Sequence, residues 1–147
     1  MPPKVIDLFR GPHRFLSNFQ EAEVEFEGVV YPTTEHAYQA AKTLIPVERQ
    51  YIAQLTTPGE AKRAGRKVTK RPDWEQVNLA IMEGLNYQKF SQYPHLRAKL
   101  LATGDAELIE GNTWGDIFWG VCRGVGLNHL GRILMRVRDR VRKEDAA

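Results

Sequence analysis

Residues 23–42 leave the chain the least freedom. Glu23-Val24-Glu25-Phe26-Glu27 alternates charged and apolar side chains, which places Val24 and Phe26 on one face of a half-buried strand. Gly28 supplies a turn into Val29-Val30-Tyr31, so the spacing predicts a hairpin. Pro32-Thr33-Thr34 halts the second strand and offers a hydroxyl as helix N-cap. Glu35 to Thr43 then reads as helix, favoured by Ala37, Ala40 and Ala41. A chain committed to strand, turn, strand and helix within twenty residues has mixed α and β structure.

The remaining elements are mostly helical. A short apolar run at Lys4–Phe9 suits a buried strand. Pro46 opens a helix ending near Leu55, and a short basic helix follows at Glu60–Lys67. Asp73 with Gln76 has the spacing of a capping box, and the helix behind it runs to about Phe90 with a stripe through Val77, Ile81 and Leu85. Pro94 starts another helix, through Leu101. Strands are expected at Glu107–Glu110 and Ile117–Val121, and the last helix at about Leu127–Lys143, with Leu130, Leu134, Val137 and Val141 facing inward. The expected fold is α+β, a single helix-rich domain over residues 1–147 around a small β-sheet.

Composition bounds the function classes. With 147 residues, 42% hydrophobic and 27% charged, the chain is neither disordered nor fibrous and can bury a core without cross-links. The single cysteine, Cys122, excludes an internal disulfide and reads as a buried thiol. No apolar run reaches membrane-spanning length, so a cytoplasmic protein with no membrane partner is expected. The net charge of +3 hides two basic blocks. Six cations lie between Lys62 and Arg71 (Lys62, Arg63, Arg66, Lys67, Lys70, Arg71), and a second cluster comprises Arg132, Arg136, Arg138, Arg140, Arg142 and Lys143. Either is a solvated face or a surface for phosphates.

Cofactor motifs are missing. There is no phosphate-binding P-loop, and Gly124-Val125-Gly126 lacks the third glycine of a dinucleotide fingerprint. His13, His36, His95 and His129 have no metal-ligand spacing, so neither metal nor cofactor is expected. Two constellations remain. Glu35, Gln39 and Lys42, at i, i+4 and i+7, share one helix face, with Glu35 in the first turn where the helix dipole favours a carboxylate. The second is Gly111 to Gly120, where Phe118 and Trp119 either fill the core or form a slot for a flat base and Asp116 is placed to bind hydroxyls. Behind it, Gly124 to Asn128 leads into a helix whose backbone N–H groups could receive a phosphate.

These residues fall in an ordered series: Phe15-Leu16-Ser17-Asn18-Phe19, Gly28 to Lys42, Trp74, Lys89-Phe90, Leu100 to Thr103, Asp116-Ile117-Phe118-Trp119-Gly120 and Gly126 to Gly131. The series resembles the NADAR (YbiA-like) family and spans nearly the whole chain. The resemblance implies an N-glycosidase acting on ribosylated substrates. Glu35, Lys42, Trp74, Asp116 and Trp119 map onto the family's functional positions, and Asn18 and Asn128 onto pocket positions. Glu35, Lys42 and Asp116 are therefore the expected catalytic residues, and Asn18, Gln39, Trp74, Phe118, Trp119, Gly126 and Asn128 the expected substrate-binding ones. Some relatives carry lysines in the glycine-rich stretch where this chain reads Gly124-Val125-Gly126-Leu127-Asn128.

The substrate implied first is ADP-ribosylated guanine, in nucleic acid or as a nucleotide, with release of ADP-ribose and a pairing with an ADP-ribosyltransferase toxin. Phosphoribosylated intermediates of riboflavin synthesis are the alternative. A non-catalytic module binding ADP-ribose or nucleotide would use the same pocket.

Overall fold

The computed structural model describes residues 3–147, and roughly half of the chain is helical. The fold is α+β. The backbone divides into two compact units, one comprising the chain up to Ser17 together with Phe90–Ala147, the other Asn18–Lys89.

The unit Asn18–Lys89 is built on the hairpin. Strand β2 is Glu21–Phe26 and β3 is Val29–Thr33, paired antiparallel with Phe26 opposite Val29. Glu27 (φ 47°) and Gly28 (φ 88°) both occupy the left-handed region that a tight two-residue hairpin turn requires, and glycine adopts it without a Cβ penalty. Helix α1 (Thr34–Ala41) follows directly. Thr33 caps it, its Oγ1 accepting from the His36 N–H. Helix α2 (Pro46–Ala53) and helix α3 (Pro58–Ala64) both start on a proline, whose missing N–H has no intrahelical partner to lose at a helix start. Thr57 and Glu60 form a full capping box on α3.

Helix α4 (Trp74–Gln92) begins differently from expectation. The Asp73 carboxylate accepts from the Arg71 guanidinium at 2.6 and 3.1 Å, while the N–H groups of Gln76 and Val77 donate to the Asp73 backbone carbonyl. An arginine two residues away outcompetes the helix N–H groups, because a charged fork holds both carboxylate oxygens. The buried residues of α4 also differ from the Val77–Ile81–Leu85 stripe. Trp74, Met82, Leu85, Asn86, Lys89 and Phe90 are buried, two of them strongly polar.

In the other unit, β1 (Val5–Ile6) pairs parallel with β4 (Glu107–Leu108), and β5 (Gly111–Asn112) pairs parallel with β6 (Val121–Cys122). A 3-10 helix covers Gly11–Leu16, and α5 is Pro94–Ala102. The last helix, α6 (His129–Ala146), buries Leu130, Ile133, Leu134, Val137 and Val141, including the expected stripe.

Two expectations are corrected. The one small sheet is three separate two-stranded ladders among the described residues. The strand at Ile117–Val121 exists only at its last residue. Asp116 Oδ1 accepts from the N–H groups of Phe118 and Trp119, and the residues leading into and opening α6 take the carbonyls of Ile117, Phe118, Trp119 and Gly120. Residues whose donors and acceptors are already engaged have little left for a ladder.

Candidate active site

Helix α1 is buried along its whole length, from Thr34 to Ala41. On hydropathy, a helix carrying Glu, His and Gln should sit at the surface. Buried, each polar group must find a partner or remain at a cost. The neighbours of α1 show how this is arranged.

His36 is fully enclosed, with Nε2 3.0 Å from the Leu55 carbonyl and Nδ1 2.8 Å from Thr33 Oγ1. Burial lowers its pKa, the Leu55 carbonyl opposing, which suits a neutral ring donating from Nε2. Its place is structural: it ties the start of α1 to the end of α2.

Glu35 is only 8% exposed. Its backbone N–H donates to the Asn18 carbonyl, and its Oε2 accepts from Gln39 Nε2 at 2.6 Å. The i, i+4 spacing thus delivers a charge-assisted bond that fixes the carboxylate. The other amide atom, Gln39 Oε1, is buried with no hydrogen-bond partner among the described residues. It faces Gly65, where any Cβ would overlap the Gln39 amide.

Lys42 ends α1. Its ammonium lies 5.8 Å from the centre of the Tyr38 ring, within cation–π range. Burial holds its pKa below the usual lysine value. The Glu35 carboxylate pulls it back up, and Lys70, Arg66 and Lys62 push it down. A lysine in such surroundings carries a larger neutral fraction than one in water. Trp74 is buried against Tyr38, ring centroids 5.1 Å apart, so Trp74 and Lys42 are linked through one aromatic ring.

Asn18 is buried and joined to α4. It accepts from Asn86 Nδ2 at 3.4 Å and donates toward the Met82 sulfur, while Asn86 Oδ1 is left without a partner among the described residues. Asn86 and the fully buried Lys89 are site-like residues that sequence reasoning misses. Periodicity treats both as surface residues, and the one signal is Lys89 standing next to Phe90 in the ordered series.

In the other unit, residues 111–128 are stitched by backbone bonds. Asn112 Nδ2 donates to the Asp116 carbonyl at 2.8 Å and the Asp116 N–H returns to Asn112 Oδ1 at 3.0 Å. Asp116 Oδ1 then orders the turn through Phe118 and Trp119. Phe118 packs edge-on to Trp119 with centroids 4.9 Å apart, and its ring lies 4.6 Å from that of His129. Trp114, Ile117, Val125 and Leu127 are exposed around this cluster.

At the start of α6 the backbone donors are engaged within the fold. The N–H groups of Leu127, Asn128, His129 and Leu130 donate to the carbonyls of Ile117, Gly120, Phe118 and Trp119. Asn128, in the left-handed region at φ 55°, commits its side-chain amide to the Glu110 N–H and the Leu108 carbonyl, bracing β4. Gly126 has φ 155°, and a Cβ there would collide with the Gly120 carbonyl. Gly126 and Asn128 thus have packing and bracing duties in this segment.

Among the described residues no group of three or more His, Cys, Asp or Glu side chains is placed to hold a metal, and no helix is long and apolar enough to cross a membrane.

The NADAR domain matches residues 8–142. The N-glycosidase YbiA of Escherichia coli is 39% identical over 128 residues, 85% of this chain and 79% of that protein. An N-glycosidase of Nostoc punctiforme is 38% identical over 141 residues, 89% of this chain and 87% of that one. A riboflavin biosynthesis protein of Vibrio vulnificus is 36% identical over 134 residues, 89% of this chain but 36% of that longer protein. The NMR structure of the E. coli protein YbiA superposes with a TM-score of 0.86 at 34% identity, covering 99% of this chain and 89% of that one. The chain belongs to the NADAR domain family, a family of N-glycosidases.

Proposed function

We propose that this protein hydrolyses the N-glycosidic bond of ADP-ribosylated guanine and releases ADP-ribose. Breaking a bond between ribose C1′ and a base nitrogen builds positive charge on the sugar and negative charge on the base. A fixed carboxylate facing C1′ stabilises the first charge or activates water. The observation that carries the reading is Glu35, a carboxylate 8% exposed and clamped by Gln39, on the same helix as a lysine that burial disfavours as a cation.

In this reading Lys42 is the nucleophile. The ribose ring opens to a C1′=N(base) iminium, the neutral amine adds at C1′, its proton passes to the departing base nitrogen, and water hydrolyses the Schiff base to the amine and the sugar aldehyde, which recloses. Asp116 is assigned to ribose hydroxyls and Phe118 and Trp119 to the base by the family resemblance, which also assigns Trp74 to substrate binding. Asn18 and Gln39 orient the substrate side of Glu35. An enzyme that removes ADP-ribose calls for a transferase that adds it, and an ADP-ribosyltransferase toxin is the matching partner.

The test is incubation with an ADP-ribosylated guanine oligonucleotide, followed by chromatography for free ADP-ribose. Binding without release would make the protein a reader of the modification. The names of relatives from Vibrio vulnificus and Zea mays favour a second reading, hydrolysis of a phosphoribosylated riboflavin precursor. Release of ribose 5-phosphate from such a precursor, with the oligonucleotide left intact, would select it.

A further inference from the structure

A cavity of about 540 Å³ opens on α2, α3 and the residues that follow, within the range of roughly 300–1,000 Å³ typical of small-molecule sites. It holds none of the residues assigned above. Its floor is apolar, from Val47, Tyr51, Leu55 and Val68, and Val47 and Tyr51 are 72% and 59% exposed, unusual for residues of their kind with nothing to cover them. Arg63 and Lys67, four residues apart, stand at its edge.

The charges around the cavity are unevenly satisfied. Glu48 also lines it, but its carboxylate accepts from the hydroxyls of Thr43 and Thr69 and from the Thr69 N–H. Glu60 accepts from the Thr57 N–H and hydroxyl in the capping box. Both acids are therefore committed to the fold. Of the nearby cations, Lys70 is paired with Glu75 and Arg71 with Asp73. Arg63 and Lys67, which line the cavity, are exposed and make no ion pair among the described residues. An uncovered phenol ring beside two uncommitted cations matches a flat base joined to phosphates. An acidic peptide would satisfy the cations but leave the ring and the aliphatic floor bare.

We propose that this cavity is a secondary binding site for single-stranded nucleic acid, in which one unpaired base stacks on Tyr51 and the adjoining phosphates lie against Arg63 and Lys67. That the bound strand is the one carrying the modified guanine rests on the function proposed above; the binding itself does not.

The experiment uses the full chain and a fluorescein-labelled, unmodified twelve-nucleotide thymidine strand, read by anisotropy across a salt series. Tyr51→Ala should weaken binding roughly 5–100-fold, the usual contribution of one stacked base. Arg63→Ala with Lys67→Ala should flatten the slope of log affinity against log salt by about 0.7 for each phosphate no longer neutralised. Both positions border open solvent, so the variants should melt like the parent. Arg140→Ala with Lys143→Ala, removing cations already paired on α6, should change nothing. With ADP-ribosylated guanine substrates, the cavity variants should raise KM for the oligonucleotide and leave the free nucleoside unaffected. Equal affinity of parent and variants, no binding by the parent at low salt, or stronger competition by polyglutamate than by unlabelled strand overturns the proposal. Variant-sensitive binding with no release of ADP-ribose would retain this site and remove the proposed substrate.

Discussion

Helix α1 and the segment 111–128 both carry residues matched to the family pattern, yet they are held in opposite ways. In α1 the buried Gln39 side chain is bonded to Glu35, and His36 to Thr33 and Leu55. In 111–128 the bonds are largely to the backbone, through Asn112, Asp116 and Asn128, and the large apolar side chains Trp114, Ile117 and Phe118 are exposed. A side chain fixed by another side chain can be altered while the backbone stays put. A side chain that supports a turn takes the turn with it. Variants that remove a side chain in α1 should therefore act mainly on turnover, and variants in 111–128 that remove a bond to the backbone mainly on stability.

The largest effect expected is from Glu35→Gln, which keeps the shape and a bond to Gln39 but removes the charge. Turnover should fall about 10²–10⁴-fold with little change in melting temperature. Near-normal turnover would take Glu35 out of the chemistry and dissolve the contrast. Gly126→Ala is the counterpart in the loop. With a left-handed φ and the Gly120 carbonyl in the way, it should cost about 2–3 kcal/mol of stability, or roughly 5–10 °C in calorimetry. Asn128→Ala removes two bonds to backbone groups and should cost about 1–3 kcal/mol by chemical denaturation. An Asn128→Ala protein of parental stability but impaired substrate affinity would return this residue to a binding role.

Lys42 sharpens the comparison through pH. Its folded pKa lies below the unfolded value of about 10.4, so the folded state binds fewer protons than the unfolded chain between the two values. The stability contributed by the neutral amine is fully present above the unfolded value and declines as pH falls through the folded one. Lys42→Met should therefore melt above the parent at neutral pH, the gap closing as pH rises toward about 10. Borohydride during turnover should trap a covalent adduct on Lys42 in the parent and none in the variant. The smallest effect belongs to Asp116→Asn, which keeps an acceptor for the Phe118 and Trp119 N–H groups. It should leave melting unchanged within about 0.5 kcal/mol and raise KM if the carboxylate holds ribose hydroxyls.

How far the sequence could be read depended on the kind of signal. The hairpin turn at Glu27-Gly28, the Thr33 cap and the buried stripe of α6 are local or periodic, and all are present. The strand at 117–121 failed because its hydrogen-bonding groups are claimed by Asp116 beside it and by the start of α6 beyond it, and the latter claim leaves no mark on local pattern. Burial of α1 was equally hidden, since its composition suits a surface helix. The two basic blocks look alike in sequence but differ in place. On α6, Arg140, Arg142 and Lys143 meet Glu144, Asp105 and Asp139, and Arg138 is buried on Thr103. In 62–71, Arg63 and Lys67 line an open cavity and make no ion pair among the described residues.

The amino-acid order alone determined where the chain turns, where its helices begin, and that Glu35, Gln39 and Lys42 share a face, because each depends on neighbours a few residues away. Tertiary structure decided which of those faces is enclosed, which lysine has its pKa lowered by burial, and which charges find partners. Desolvation and ion pairing depend on groups brought from distant positions, and no window of sequence contains them together.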